Sequence, residues 1–289
     1  MMREQAIVLL AIFCFATIAH GQSETEPTYS EVYYTSGNLL IQAYLYKPDG
    51  DGPFPVVIYN HGSRGGRERE SVSFQYVGRI LTKAGYAVFV PERRGYGKSQ
   101  GSVWSAEVRN DYGLIPRLQA ETDDVLASID YLRNIRFIDT TRMGIMGWSF
   151  GGIITMLALS RTSAFLVAID QAGGALTWDT NAHVRNALIA AAEKADTPTF
   201  FMVANNDRTT SSVTTLAEIF EKRAVPHRIK IYESFTPAQG YGGGAPGHAV
   251  FSAQGSSVWE RDVVQFMDRY LSRSVLDKRD DATAPRALQ

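Results

Sequence analysis

Residues 141–152, TRMGIMGWSFGG, are the stretch that decides the fold. The short apolar run 143–146 predicts a buried strand, and the apolar residues of 153–159 recur at helical spacing. Between them, Gly147 to Gly151 form a G-x-S-x-G pattern, and a strand, a sharp turn and a helix around that pattern indicate a nucleophile elbow. Glycines are needed because the turn brings neighbouring backbone very close. The stretch predicts Ser149 as a nucleophile.

Strand and helix signals alternate on both sides of the elbow. Short continuous apolar runs predict strands buried on both faces of a parallel sheet at 56–59 and 87–90, and further strands are predicted at 165–169, 199–204 and 228–232. Helical spacing or composition predicts helices at 71–84, 118–132, 181–192, 213–223 and 258–271. Two further runs, 29–35 and 39–47, flank a Ser-Gly-Asn turn and predict an antiparallel hairpin. The order predicts an α/β fold with a doubly wound, mostly parallel sheet.

The chain has 289 residues, of which 45% are hydrophobic, enough for one catalytic domain that we place at residues 29–273. Residues 22–28 are polar and are expected to be a flexible leader, and the charged residues 274–289 are expected to be a disordered tail. The net charge of −1 gives no reason to expect a nucleic-acid partner.

Residues 1–21 have the features of a secretory signal peptide. Arg3 precedes the apolar run 6–19, and Ala19-His20-Gly21 is a small-x-small cleavage site. A membrane anchor is the alternative, but the run is shorter than the roughly 20 residues of a spanning helix. Cys14, the single cysteine of the sequence, would leave with the peptide. We therefore expect an exported protein, periplasmic or secreted, without disulfides or a membrane span after cleavage.

A serine nucleophile needs a histidine base and an acid that orients the histidine. His248 ends a Gly-rich loop after the last predicted strand, where its ring can hang over the sheet edge. Asp207 follows the strand at 199–204 and lies between Ser149 and His248 in chain order. Asp170, after the strand that follows the elbow, is the alternative acid, and we rank it second.

An oxyanion needs preorganised N–H donors. The backbone N–H of Phe150, directly after the nucleophile, is one candidate. The second is the N–H of Ser63, in the loop after the strand at 56–59. His61 in the same loop is then expected to be structural rather than a base.

Two short motifs do not indicate a cofactor. Gly97-Lys98-Ser99 looks like the end of a P-loop, but Glu92 stands where that motif needs its first glycine. The spacing Gly95-x-Gly97 lacks the third glycine of a dinucleotide fingerprint. The sequence has no His-Glu-x-x-His or similar metal spacing, so we predict neither a metal nor a cofactor.

Taken together, these motifs resemble the α/β-hydrolase superfamily, in particular its dienelactone hydrolase and prolyl oligopeptidase-like branch. The resemblance covers residues 29–273 and includes 57–62 (VIYNHG), 94–99 (RGYGKS), 147–152 (GWSFGG), 206–207 (ND) and 247–248 (GH). It implies an eight-stranded core sheet and hydrolysis of esters, or less often amides, through an acyl-enzyme. Dienelactone hydrolases proper use a cysteine nucleophile, whereas this chain has Ser149. The segment 176–196 is too short for a large lid.

From the residues and the resemblance we expect an exported serine hydrolase, in the first place a carboxylesterase for small or medium acyl esters. A serine peptidase or aminopeptidase on short peptides is the alternative. A non-catalytic binding protein that kept the fold is a second alternative. The sequence leaves the acyl and alcohol groups and the oligomeric state open.

Overall fold

A computed structural model describes residues 27–240 and 244–272. The predicted signal peptide, most of the predicted leader and the whole predicted tail lie outside these residues. The strands are β1 (Tyr29–Ser36), β2 (Leu39–Tyr46), β3 (Phe54–Asn60), β4 (Ala87–Glu92), β5 (Ile138–Trp148), β6 (Val167–Gln171), β7 (Thr199–Ala204) and β8 (His227–Tyr232). The helices are α1 (Gln75–Lys83), α2 (Trp104–Glu107), α3 (Asp111–Leu132), α4 (Phe150–Leu159), α5 (Ala182–Ala192), α6 (Ser211–Lys222) and α7 (Ser256–Leu271).

The strands form one eight-stranded sheet in the order β1-β2-β4-β3-β5-β6-β7-β8. The β1–β2 hairpin and the β2–β4 pair are antiparallel, and the other neighbouring strands are parallel. The prediction of a mostly parallel sheet with an N-terminal antiparallel hairpin is confirmed. Because β3, β5, β6 and β7 run in one direction, their carboxyl ends share one edge, where open α/β sheets bind ligands.

Helices cover both faces of the sheet. Helices α1 and α7 pack on one face, while α3, α4 and α5 form a contiguous layer on the other. Every residue of β4 and β7 is buried, as the continuous apolar runs in the sequence predict for strands covered on both sides. Among the described residues, no helix combines the length and apolar content needed to cross a bilayer.

The starts of helices α1 and α3 differ from the sequence prediction. Helix α1 begins at Gln75 rather than at residue 71, because Phe74 has a left-handed backbone with φ 56°. Helix α3 begins at Asp111, seven residues before the predicted start, and its first turn is capped by the Asn110 side chain, which accepts from the N–H of Gly113 at 3.2 Å. A left-handed residue sets the first of these starts and a capping side chain sets the second, and apolar periodicity reports neither.

Strand β6 is shifted by two residues, and the shift affects a candidate site residue. The prediction was 165–169, but β6 pairs with β5 from Val167 to Gln171. The parallel ladder continues through the polar pair Asp170-Gln171, because their backbone is paired with β5 whatever their side chains are. Asp170 therefore lies within the strand, not in the loop after it.

Candidate active site

Ser149 occupies a strained turn between β5 and α4. Its φ of 60° and ψ of −120° are a conformation that side-chain-bearing residues rarely adopt. The backbone on both sides holds it there, since the Ser149 N–H donates to the carbonyl of Gln171 at 2.9 Å and the Ser149 carbonyl accepts from Gly152 at 2.9 Å. Such strain costs about 1–3 kcal/mol and is concentrated at functional sites. This geometry is that of a nucleophile elbow.

The two glycines of the G-x-S-x-G pattern are required by close backbone contacts. A methyl group at Gly147 would overlap the carbonyl of Gly151. A methyl group at Gly151 would overlap the carbonyl oxygen of Asn60, the last residue of β3. The end of β3, the end of β5 and the start of α4 can therefore meet only where both positions lack a side chain.

The predicted acid and base are hydrogen bonded to each other. Asp207 lies in the turn after β7, and His248 lies in a short 3₁₀ helix, Pro246–Phe251, after β8. The His248 Nδ1 donates to Asp207 Oδ2 at 2.7 Å, and both side chains are fully buried. A carboxylate oxygen can only accept, so Nδ1 carries a proton, and in the neutral form of the ring the lone pair is then on Nε2. That is the tautomer that a general base needs.

Contacts between the two loops explain how residues 41 positions apart meet. A methyl group at Gly247 would overlap the side-chain oxygen of Asn206, so Gly247 lets one loop lie directly on the other. The Asn206 side chain also bonds both backbone groups of Phe235, each at 3.0 Å, which ties the segment after β8 to the turn after β7. The motifs Asn206-Asp207 and Gly247-His248 are therefore two halves of one contact.

This pair lies beside the elbow. The ring of Trp148, the residue before Ser149, packs against the His248 ring with centroids 5.6 Å apart. Ser149, Asp207 and His248 are thus brought to one edge of the sheet from the ends of three strand-loop units. Their catalytic roles remain predictions, which the experiments below test.

The candidate oxyanion donors lie on two sides of Ser149. Phe150 is the first residue of α4, and an N–H at that position has no partner within the helix. The loop after β3 approaches from the other side, since a methyl group at Gly62 would lie 3.3 Å from the Cβ of Ser149. Ser63 follows Gly62, so the structure brings both predicted N–H donors to the vicinity of the nucleophile.

Asp170 does not bond to the histidine in this arrangement. Its Oδ1 accepts from the N–H of Gly173 at 2.7 Å, within the segment that follows β6. The side chain is fully buried, and burial raises its pKa to about 7. Geometry therefore favours Asp207 over Asp170 as the partner of His248.

The raised pKa of Asp170 gives a pH-dependent stability. Between its ordinary pKa of 3.8 and about 7, the folded protein keeps a proton that the unfolded chain has released. The protonated Asp170 side chain therefore contributes to the free energy of unfolding in full below pH 4. This contribution is lost as the pH rises from 4 through 7, which lowers the free energy of unfolding by roughly 4 kcal/mol. Asp170→Asn is expected to remove that dependence. Urea titrations of the wild-type and variant proteins from pH 4 to 8 measure the free energy of unfolding at each pH. A difference between the two proteins that does not change with pH would contradict the prediction.

An ionic network behind the Gly62–Ser63 loop was missed by sequence reasoning. Arg64 forms a two-point ion pair with Glu92, whose Oε1 also accepts from the Val72 N–H at 2.8 Å. Arg93 bonds to Glu121 of α3 at 2.7 Å. The available signal was the charged run Glu92-Arg93-Arg94 at the end of a buried strand, a position where charges need buried partners.

His61 lies inside this network. Its ring is fully buried, stacks on Phe74 and meets Tyr96 edge-on. Burial, together with the guanidinium groups of Arg93 and Arg64, lowers the pKa of His61 well below its usual range. A neutral ring packed beneath the loop agrees with the structural role expected for His61.

A cavity of about 750 Å³ opens beside the elbow and provides room for a substrate. Its lining includes Gly62 and Ser63, the apolar rings of Phe74 and Trp148, and the charged side chains of Arg67 and Glu70. Within residues 27–240 and 244–272, no three His, Cys, Asp or Glu side chains are grouped as a metal site would require.

The fold and part of the sequence are similar to those of known proteins. The fold is similar to that of a Pyrococcus horikoshii acylaminoacyl peptidase, with a TM-score of 0.67 and 17% identity, over 86% of this chain and 42% of that one. It is also similar to the Pyrococcus furiosus esterase Pf2001, with a TM-score of 0.61 and 16% identity, over 85% of this chain and 94% of that one. A model of the prolyl oligopeptidase family matches residues 72–187, which include the elbow. The fold is that of the α/β-hydrolase superfamily, and residues 72–187 of the chain resemble the prolyl oligopeptidase family.

Among curated proteins, this α/β-hydrolase is similar to dipeptidyl-peptidase 5 of Porphyromonas endodontalis. The two are 23% identical over 270 residues, which are 83% of this chain and 37% of the relative. The chain thus spans less than half of the length of the peptidases it matches and nearly the whole length of the esterase.

Proposed function

We propose that this α/β-hydrolase cleaves amide or ester bonds through a serine acyl-enzyme. The observation that carries the proposal is the 2.7 Å bond between His248 Nδ1 and Asp207 Oδ2 at the sheet edge that holds the Ser149 elbow. A buried carboxylate bonded to one ring nitrogen leaves the other as a base and stabilises the imidazolium that forms on proton transfer.

The proposed reaction has two halves. In the first, Nε2 of His248 takes the Ser149 proton as the hydroxyl oxygen attacks the substrate carbonyl, and the imidazolium then protonates the leaving group. In the second, a water molecule attacks the acyl-enzyme with His248 again as base. In both halves the N–H groups of Phe150 and Ser63 bind the negative oxygen of the tetrahedral intermediate.

We infer that short peptides are the first substrate class to test. The sequence alone favoured carboxylic esters, but the prolyl oligopeptidase family match and the dipeptidyl-peptidase relative support the peptidase alternative better. Amide cleavage requires protonation of a poor leaving group, and a His248 held by Asp207 can supply that proton. The cavity beside Trp148 is large enough for one or two residues of a peptide.

Ester hydrolysis is the second candidate. The observation in its favour is length, because the chain covers 94% of the Pyrococcus furiosus esterase but 42% of the acylaminoacyl peptidase. The acyl-enzyme chemistry is the same for both substrate classes. The difference lies in the leaving group and in what the cavity accepts.

Substrates that share one acyl part separate the two candidates. N-acetyl-aminoacyl and dipeptidyl groups would each be presented as a 4-nitroanilide and as a 4-nitrophenyl ester, with Ser149→Ala as the blank. A peptidase is expected to cleave the anilides at a kcat/KM on the order of 10⁴ M⁻¹s⁻¹ or more. Anilide turnover no greater than the blank, with rapid ester turnover, would establish the esterase candidate instead.

Covalent labelling tests the proposal against a non-catalytic role. A fluorophosphonate probe is expected to label the wild-type protein at Ser149, because the probe reacts only with a serine whose proton can be removed. A correctly folded protein that is neither labelled nor active on either series would refute the proposed function.

A further inference from the structure

The guanidinium group of Arg93 lies directly behind the loop that carries the Ser63 donor. Arg93 follows β4, and its side chain is fully buried. Its Nη2 donates to the carbonyl of His61 at 2.8 Å, and its Nε donates to Glu121 Oε2 at 2.7 Å. The side chain therefore connects the loop after β3 to helix α3 on one face of the sheet.

The next carbonyl of the loop is also held from the buried side. His61 Nδ1 lies 2.7 Å from the carbonyl oxygen of Gly62. A carbonyl oxygen only accepts, so this nitrogen carries the single proton of the neutral ring. The Arg93 guanidinium contributes to keeping the ring neutral, because its charge lowers the pKa of His61. Two successive carbonyls, those of His61 and Gly62, are thus tied into the interior.

This anchoring sets the direction of the Ser63 N–H. In a trans peptide the C=O of one residue and the N–H of the next point in opposite directions within a plane. Because the Gly62 carbonyl points to the buried ring, the Ser63 N–H points away from it. Gly62 itself lies close to Ser149, since a methyl group added at Gly62 would lie 3.3 Å from the Ser149 Cβ.

We propose that Arg93 is a positioning residue, which keeps the oxyanion donor of Ser63 aimed at the site of the developing negative charge. The inference rests on the proposed function and adds to it a residue that does not itself touch the substrate. Preorganised donors contribute because they need no reorientation during the reaction. Loosening the His61 carbonyl would let the peptide planes of the loop rotate and would remove that advantage.

The test compares Arg93 with Arg117, which offers a matched control. Both guanidinium groups are fully buried and both bind Glu121, at 2.7 and 2.8 Å. Arg117 otherwise donates to the Glu107 carboxylate and to the carbonyls of Ser102 and Arg94, not to the loop after β3. Removing either arginine leaves Glu121 with the other as its partner, so neither variant strands a buried carboxylate.

Arg93→Lys and Arg93→Gln are expected to lower kcat by about 10- to 100-fold. Removing one oxyanion donor completely lowers kcat by about 10²- to 10³-fold, and these variants would misdirect the donor without removing it. KM is expected to stay within about threefold, because the donor acts mainly in the transition state. Phenylboronic acid, whose adduct with Ser149 mimics the tetrahedral intermediate, should bind more weakly by a similar factor. Arg117→Lys and Arg117→Gln should match the Arg93 variants in melting temperature but keep kcat within about threefold of wild type.

Each outcome has a definite meaning. An equal loss of kcat in the Arg93 and Arg117 variants, or unchanged phenylboronic acid affinity in the Arg93 variants, would overturn the inference and leave the proposed function intact. A wild-type protein without turnover or fluorophosphonate labelling would instead refute the proposed function itself. If the glutamine variant of Arg93 does not fold, the lysine variant, which keeps the charge and a single donor, supplies the comparison.

Discussion

Ser149→Ala is expected to lower kcat by about 10⁴-fold or more on whichever substrate series proves active. Without the hydroxyl there is no acyl-enzyme, and the remaining rate comes from binding and from the oxyanion donors alone. The fold should be retained, because alanine keeps the Cβ and the backbone hydrogen bonds of the elbow do not involve the hydroxyl. Steady-state kinetics and a melting curve on the same preparation measure both effects.

Ser160→Ala is the matched control for this result. Ser160 caps the opposite end of α4, where its hydroxyl donates to the carbonyl of Leu157 at 2.8 Å. The variant removes a serine hydroxyl from the same helix at a distance from the elbow and is expected to keep kcat within about twofold. A Ser149→Ala protein that retains wild-type turnover would show that the reaction does not pass through this serine.

Asp207→Asn is expected to lower kcat by about 10⁴-fold with little change in KM, the second large effect. An amide in place of the carboxylate can donate to His248, so Nδ1 can become the acceptor and the proton can move to Nε2. The ring would then present an N–H to Ser149 and could not act as base. The missing negative charge would also cease to stabilise the imidazolium.

Asp170→Asn provides the comparison that decides between the two acids. Its carboxylate is bonded to Gly173 rather than to His248, so the change to asparagine is expected to keep kcat within about threefold at pH 8. Both variants replace a buried carboxylate by an amide of equal size. A loss in Asp170→Asn as large as that in Asp207→Asn would contradict the assignment of Asp207 as the orienting acid.

Much of the fold follows from local patterns. Apolar runs of four to six residues predict the central strands because a strand covered on both faces must be apolar throughout. The position of Ser149 follows from glycines whose absence of a side chain the backbone contacts require. The boundaries were less predictable. Polar residues such as Asp170 and Gln171 can extend a strand, since the ladder is formed by backbone groups.

Part of the candidate site could be predicted from the sequence, and part of it could not. Chain order and the position of each residue after a strand were enough to nominate Ser149, Asp207 and His248, because parallel strands end at one edge. The substrate class could not be predicted from chain order, because it depends on the shape and charge of a cavity assembled from several loops. The role of Arg93 could not be predicted either, because its partners His61 and Glu121 are about 30 residues away in opposite directions along the chain.

By itself, the sequence determined the alternation of strands and helices, the strained turn at Ser149 and the residue types available at the sheet edge. These are local properties, set by side-chain periodicity and by the conformational freedom of glycine. Only the tertiary structure decided that Asp207 rather than Asp170 binds His248 and that a buried guanidinium supports the Ser63 loop. Those contacts join residues distant in sequence, and their energies depend on burial and distance, which exist only once the chain has folded.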